Sequence, residues 1–150
     1  MFPDLNLPKA ELRLRTENNQ TQVFDIFRKK FVMLTSEEWV RQHVLHFLIN
    51  DKGFPTGLIE VEKSIKLFNT DKRVDVLVRT SQLKPLLLVE CKEPGVKLGQ
   101  KEVSQLARYQ ITLEATYSFL TNGLQHFIMK HNDKKISYLE SLPEYAEMLI

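Results

Sequence analysis

The sequence of 150 residues has a mass of 17.6 kDa, with 43% hydrophobic and 27% charged residues, values typical of one soluble globular domain. This composition excludes a disordered chain or a fibrous repeat, and the single cysteine, Cys91, excludes an intramolecular disulfide and a cysteine-based zinc site. With 21 basic and 19 acidic residues, the formal charge of +2 does not by itself indicate nucleic-acid binding, so that role has to rest on a site.

The N-terminal region predicts an irregular arm followed by a small hairpin. It has no basic segment before a long apolar run, and nowhere are there about 18 consecutive apolar residues, so we expect neither export nor a membrane span. Together with the lone cysteine, this favours a cytoplasmic location. The first fifteen or so residues contain two prolines and no clear period, whereas residues 22–27 and 30–34 have the pattern of short extended runs.

A helix is predicted from Glu37 to about Asn50. Thr35 is followed three residues later by Glu38, which is the pattern of a capping box, and acidic residues in the first turn suit the helix dipole. An apolar stripe at helical spacing consists of Val40, Val44, Phe47 and Leu48. Helical geometry predicts Glu37 on the same side as this stripe and Glu38 towards its flank.

The remaining sequence predicts three strands, a second helix and a closing hairpin. Three β-rich runs lie at residues 58–68, 73–79 and 85–92, after turn signals at Gly53, Pro55 and Gly57. A helix is predicted from Gly99 to about Ala115, and two strands at 117–121 and 124–130 flank Asn122-Gly123. The order α-β-β-β-α-β-β indicates an α/β (α+β) fold, and residues 143–150 are compatible with a short helix over one edge.

Charged residues interrupt two of the predicted strands. Asp75 alternates with the valines at 74, 76 and 78, so its side chain is expected to point away from a valine-lined face. Glu90 and Lys92 end an apolar strand and project from one face, because they are two residues apart, while Cys91 points the other way. Charges at the end of a buried strand cost free energy unless they are paired or bind metal, so these residues predict a site.

The residue types fit a divalent metal. Asp75 and Glu90 supply hard oxygen ligands for Mg²⁺ or Mn²⁺, and the backbone carbonyl of Cys91 would complete the inner shell, while the Cys91 thiol packs into the core. Lys92 would orient or deprotonate an attacking water, or stabilise the charge of a phosphorane. The alternative is a surface ion-pair cluster at a sheet edge, in which each pair contributes about 0–1 kcal/mol.

Asp75 followed by Glu90-Cys91-Lys92 resembles the D…(D/E)xK signature of the PD-(D/E)xK nuclease superfamily. Glu37 is similar to the family's helical acid, and Gln105-Leu-Ala-Arg-Tyr109 resembles the QxxxY motif of RecB-like members. Four segments between Phe24 and Lys130 resemble, more closely, the N-terminal nuclease domain of type I restriction enzyme R subunits: Glu37-Glu-Trp-Val-Arg-Gln, Lys72-Arg-Val-Asp, Leu88-Val-Glu-Cys-Lys-Glu-Pro and Leu120-Thr-Asn-Gly. Val74 replaces the proline of the superfamily's name, and the helicase motor of R subunits is absent, so ATP-dependent translocation is not implied for this chain alone.

The resemblance implies a restriction-endonuclease-like core, with a central mixed β-sheet flanked by helices. We expect a single domain over residues 1–150, in which residues 1–34 form the arm and hairpin, 35–130 the nuclease core and 131–150 a C-terminal extension. The implied activity is that of a Mg²⁺- or Mn²⁺-dependent deoxyribonuclease, in the first instance an endonuclease. Its implied catalytic residues are Asp75, Glu90, Lys92, Glu37, Gln105 and Tyr109, and its implied partners are DNA, a helicase or specificity subunit, and a second copy of the chain.

Two other functions stay open at this point. One is a DNA-binding or assembly module that keeps the nuclease fold and works only with a motor or specificity partner; the other is an interaction domain without a nucleic-acid role. Glu38 and Glu62 are secondary candidates for the site. The cations Lys97, Lys101 and Arg108 are candidates for phosphate contacts, although a solvated helix face also explains them.

Overall fold

The computed structural model describes residues 2–150, so Met1, which the sequence assigns to the arm, lies outside the described residues. The elements are, in chain order, β1 (Leu14–Glu17), β2 (Gln20–Asp25), β3 (Lys30–Met33), α1 (Ser36–Asn50), a 3-10 helix (Thr56–Leu58), β4 (Ile59–Leu67), β5 (Thr70–Arg79), β6 (Pro85–Cys91), α2 (Gln100–Leu113), β7 (Tyr117–Thr121), β8 (His126–Asn132), β9 (Lys135–Leu139) and α3 (Tyr145–Met148). The predicted element order is confirmed from α1 to β8. Among residues 2–150, no helix has the length and apolar character that a membrane crossing requires.

Two strands were missed by the sequence prediction. β1 pairs with β2 and extends the predicted hairpin into a three-stranded sheet, and β9 pairs with β8 inside the predicted C-terminal extension. Both lie at sheet edges and are almost wholly exposed, so neither carries the apolar alternation by which a strand is recognised. Some boundaries also differ: β5 begins at Thr70 rather than Arg73, β8 begins at His126, and β6 ends at Cys91, one residue before Lys92.

A six-stranded mixed sheet, in the order β4-β5-β6-β7-β8-β9, forms the centre of the fold and confirms the predicted fold class. All neighbouring strands are antiparallel except β6 and β7, which are parallel and are connected through α2. α1 packs against one face, in a core cluster that includes Val76 and Leu87. α2 packs against the other face, in a cluster that includes Leu77 and Leu88, so the central strands are buried on both sides.

β5 and β6 separate where the acidic residues lie. Their ladder ends at the pair Val76 and Val89, while β6 stays paired with β7 as far as Cys91. Val76 belongs to the cluster beneath α1, but Val74 belongs to the cluster beneath α2, so the predicted single valine face is wrong at Val74. The regular alternation of β5 breaks at Asp75, whose side chain reaches the backbone of the separating strand.

α1 begins at the predicted cap. The Glu38 backbone N–H donates to Oγ1 of Thr35 at 3.1 Å, while the Thr35 N–H bonds to the carbonyl of Met33 and leaves the Glu38 side chain free for other contacts. Glu38 is 5% exposed, whereas the Glu37 side chain is 45% exposed. The prediction of which acid faces the protein interior was therefore wrong, because α1 buries a polar side as well as its apolar stripe.

The turn between β7 and β8 holds the N-terminal arm in place. Oδ1 of Asn122 accepts hydrogen bonds from two backbone N–H groups of the turn, and the Gly123 carbonyl accepts one from Asn6 at 2.7 Å. Gly123 has φ +87°, and a Cβ at this position would lie 2.6 Å from Cδ2 of Leu5. The Asn-Gly pair thus meets both a turn conformation and a close approach of the arm.

Candidate active site

The structure brings Asp75, Glu90 and Lys92 together where β5 and β6 separate. Oδ2 of Asp75 accepts a hydrogen bond of 2.6 Å from the Cys91 backbone N–H, which at this point has no partner on β5. Nζ of Lys92 lies 3.7 Å from Oε1 of Glu90. Asp75 and Glu90 are each 8% exposed, so this group is not the solvated surface cluster of the alternative interpretation.

Glu90 is the acid of this group whose pKa departs most from its ordinary value. Its Oε2 atom is buried and has no hydrogen-bond partner among the described residues. Burial, and then the nearby charge of Asp75, raise the pKa of Glu90 to about 9, while Lys92 acts in the opposite direction. Glu90 therefore holds a proton at neutral pH unless additional positive charge reaches it.

Arg41 on α1 occupies the other side of Asp75. Its Nη2 donates to Oδ1 of Asp75 at 2.7 Å, and its Nη1 donates to Oε1 of Glu38 at 2.6 Å. The carboxylates of Glu62 and Glu37 lie 3.6 and 3.9 Å from the guanidinium. Arg41 is 5% exposed, and the charges of Asp75 and Glu38 outweigh burial and raise its pKa above the ordinary value. It is a fixed cation in the site.

A second arginine continues this network towards the N-terminal sheet. Arg28 lies 2.8 Å from both Asp25 and Glu38, and the Asp25 carboxylate also accepts the backbone N–H groups of Phe27 and Arg28. Nε2 of Gln42 donates to Asp25 at 2.9 Å and to Glu38 at 3.0 Å. A continuous chain of contacts therefore runs from Asp25 through Arg28, Glu38 and Arg41 to Asp75.

Glu37 lies at the rim of this site. Burial and the charge of Asp75 raise the pKa of Glu37, whereas Arg41 and Lys92 lower it. The Glu37 carboxylate lies 3.9 Å from the guanidinium of Arg41, which in turn binds Asp75. The structure thus groups Glu37 with the three central residues.

Gln105 and Tyr109 form a separate pair on α2. Nε2 of Gln105 lies 3.3 Å from the Tyr109 hydroxyl, and Tyr109 is 4% exposed. In residues 2–150, no hydrogen bond or ion pair joins either side chain to Asp75 or Glu90. Both residues instead line a cleft beside α2, together with Leu67, Lys72, Lys101 and Arg108.

The Cys91 thiol is fully buried among the core residues beneath α1. Burial raises its pKa well above the ordinary value, so the thiol stays protonated and is a poor nucleophile. The role of Cys91 at the site lies in its backbone, whose N–H binds Asp75.

Two features bear on a metal at this position. The carboxylates of Asp75 and Glu90 are hard oxygen donors, and the buried Oε2 of Glu90 lacks a partner, which fits a divalent cation. Within residues 2–150, no three side chains of the types His, Cys, Asp and Glu converge as a ready ligand set. Two carboxylates would thus require a backbone carbonyl and water as further ligands, which is usual for Mg²⁺.

Sequence reasoning missed most of the polar network. It gave no role to Asp25, Arg28, Arg41 or Gln42, and it treated Glu38 chiefly as a capping residue. One signal was available, because Arg41 follows Glu37 and Glu38 by four and three residues, spacings that bring side chains together on a helix. No local signal links Asp25 and Arg28 to α1, because that contact depends on how the N-terminal sheet packs.

The fold is that of a restriction-endonuclease-like domain: a mixed sheet with a helix on each face, and carboxylates where two central strands separate. The sequence profile of the family described as type I restriction enzyme R protein N terminus matches residues 36–143. The chain belongs to this family.

Two solved structures of restriction enzymes are similar to this chain. A fragment assigned to the HsdR subunit of a type I restriction enzyme from Vibrio vulnificus YJ016 has 20% sequence identity and a TM-score of 0.59, over 77% of this chain and 25% of that chain. The type IIG restriction endonuclease BpuSI is also similar, with 19% identity and a TM-score of 0.41, over 67% of this chain and 11% of that one. The chain thus spans a quarter or less of the length of each of these two chains. A comparison with curated proteins gives no match.

Proposed function

We propose that this domain is a divalent-metal-dependent deoxyribonuclease that hydrolyses phosphodiester bonds, with Asp75, Glu90 and Lys92 as its central residues. The observation that carries the proposal is the pair of buried carboxylates, Asp75 and Glu90, where β5 and β6 separate, with Nζ of Lys92 3.7 Å from Glu90. Membership of the R protein N-terminal family supports the same assignment. Glu90 would release its proton when a divalent cation supplies the missing positive charge.

Asp75, Glu90 and the carbonyl of Cys91 would hold Mg²⁺ or Mn²⁺. When bound, the cation would supply Lewis-acid activation of the scissile phosphate and of the attacking water. Arg41 and the Cys91 N–H fix both oxygens of Asp75, which limits the directions from which this carboxylate can bind a ligand.

Lys92 lies just beyond β6, and its ammonium group is 3.7 Å from Glu90. It would orient the attacking water or stabilise the charge that develops on the phosphate oxygens. Glu37, at the exposed rim, would accept a proton from that water or contact it by hydrogen bonding. Gln105 and Tyr109, on α2, would contact the DNA rather than the reacting atoms.

The test is Mg²⁺- or Mn²⁺-dependent cleavage of supercoiled, linear and single-stranded DNA. Asp75→Asn, Glu90→Gln and Lys92→Ala are expected to abolish cleavage. The matched control is Glu17→Gln, which removes an acid from an exposed ion pair with Arg15 and should leave cleavage unchanged. If a folded Asp75→Asn variant cleaves as fast as the natural chain, the proposed site is wrong.

A second candidate is a DNA-binding or assembly module that cleaves only with a helicase or specificity subunit, or as a homodimer. It is favoured by one observation: the chain corresponds to 25% of the HsdR chain it matches. DNA binding without cleavage, unaffected by Asp75→Asn, would support this candidate. Cleavage restored by the remaining subunits would then separate a dependent nuclease from a module without catalysis.

A further inference from the structure

A cleft of about 300 Å³ lies between the β4–β5 hairpin and α2. It is lined by Leu67, Lys72, Lys101, Gln105, Arg108 and Tyr109. Three of these residues are cations and none is an acid. The sequence singled out Lys101 and Arg108 as candidates for phosphate contacts, and the structure adds Lys72 from the other wall; Lys97 is not part of the lining.

The three cations are available to a ligand. Lys72, Lys101 and Arg108 are exposed, and in residues 2–150 no carboxylate lies within ion-pair distance of any of them. Lys66, on the same hairpin, differs because it pairs with Asp71 at 3.5 Å. Cations along one cleft without acidic partners form a surface that attracts consecutive phosphates.

The tip of the hairpin presents an aromatic side chain. Leu67 and Thr70 close a two-residue turn in which Phe68 has φ +51° and Asn69 has φ +62°. Such turns favour Asn, Asp and Gly, so phenylalanine is an unfavourable choice for the conformation. Phe68 is 84% exposed and directly follows Leu67, a residue of the cleft lining.

The cleft lies close to the candidate active site. Lys72 precedes Asp75 by three residues of β5, which corresponds to about 10 Å along a strand. A DNA backbone with its scissile phosphate at Asp75 and Glu90 would continue past Lys72 towards the cleft.

We propose that the cleft binds the phosphate backbone of the DNA substrate beside the scissile bond, and that Phe68 contacts the bases or the groove at that point. This inference rests on the proposed function, since it names how the same site holds its substrate. The shared ligand is a run of backbone phosphates, offered by duplex and by single-stranded DNA.

The test compares two triple variants of equal charge. One replaces Lys72, Lys101 and Arg108 with alanine; the control replaces Lys30, Lys134 and Lys135, three exposed lysines outside the cleft lining. DNA binding is measured by fluorescence anisotropy in EDTA over a range of salt, with duplex and single-stranded probes. Thermal melting of each variant shows that it is folded.

The cleft variant should show a shallower salt dependence than the control. Loss of three phosphate contacts lowers the slope of log K against log salt by about 2.7 for duplex DNA, or about 2.1 for a single strand. Between about 50 and 200 mM salt, the natural chain would then lose about 40-fold more duplex affinity than the cleft variant. The probe, duplex or single-stranded, for which the salt slope falls by the expected amount identifies the form of DNA that the cleft holds.

Equal slopes for the two triple variants on both probes would overturn the proposal. Phe68→Asn, which places a favoured residue in the turn, should weaken binding without destabilising the fold, and unchanged affinity would remove Phe68 from the proposal. The result of this binding test can be distinguished from the result of the cleavage test. Weak binding by the cleft variant without any cleavage by the natural chain would support the cleft alone, whereas Asp75-dependent cleavage with unaltered binding would support the nuclease alone.

Discussion

Replacement of Arg41 by methionine tests how much the buried network of charged residues stabilises the fold. The guanidinium is 5% exposed and donates to Asp75 and Glu38 at 2.7 and 2.6 Å. Removing one partner of a buried ion pair costs about 3–5 kcal/mol, because the remaining charge loses its compensation. Glu38 keeps Arg28 at 2.8 Å and Asp75 keeps the Cys91 N–H, so we expect the lower end, about 3 kcal/mol.

The assay is urea unfolding at neutral pH in EDTA, which reports the free energy of unfolding without a metal contribution. The matched control is Arg73→Met, because Arg73 also approaches a carboxylate, Glu62 at 3.4 Å, but its side chain is 71% exposed. A surface pair of this kind contributes at most about 1 kcal/mol. If Arg41→Met lowers the free energy of unfolding no more than Arg73→Met does, the buried network does not stabilise the fold.

Three further predictions concern protonation, metal and the arm. Because the folded pKa of Glu90, about 9, exceeds the ordinary 4.5, the stability that its protonated form provides is complete below about pH 4.5 and declines as the pH rises towards 9. In EDTA, Glu90→Gln should therefore be more stable than the natural chain near about pH 8 and similar near about pH 4 in urea unfolding; parallel pH profiles would contradict this. Calorimetry should show Mn²⁺ binding that releases protons and strengthens with pH, and that Asp75→Asn abolishes; pH-independent binding would argue against Glu90 as a ligand. Gly123→Ala should cost about 1–3 kcal/mol in thermal unfolding, because its Cβ would meet Leu5 and its φ is +87°, whereas Gly57→Ala, with open space around it, should be nearly neutral.

The sequence carries strong signals for the central residues of the site. An acid in mid-strand at position 75 and an apolar strand that ends in Glu90 and Lys92 are local patterns, so both the strands and their convergence were predictable. The prediction of which acid, Glu37 or Glu38, faces the interior was wrong because α1 also buries Arg41 and Gln42, so the apolar stripe marks only part of the buried side. Burial of polar residues depends on their partners, which a helical pattern does not contain.

The polar network also extends beyond the segment that matches the family profile. The match to the family profile starts at residue 36 of this chain, and Asp25 and Arg28 lie before it, in β2 and the turn that follows. Arg28 binds Glu38, Glu38 binds Arg41, and Arg41 binds Asp75, each contact at 2.8 Å or less. Asp25 is fully buried and receives two backbone N–H groups besides Arg28 and Gln42, which makes it a fixed end point for the chain of contacts. Since Arg41 holds one oxygen of Asp75, the orientation of that carboxylate depends on how the N-terminal sheet packs against α1. The N-terminal sheet is therefore a structural component of the candidate site.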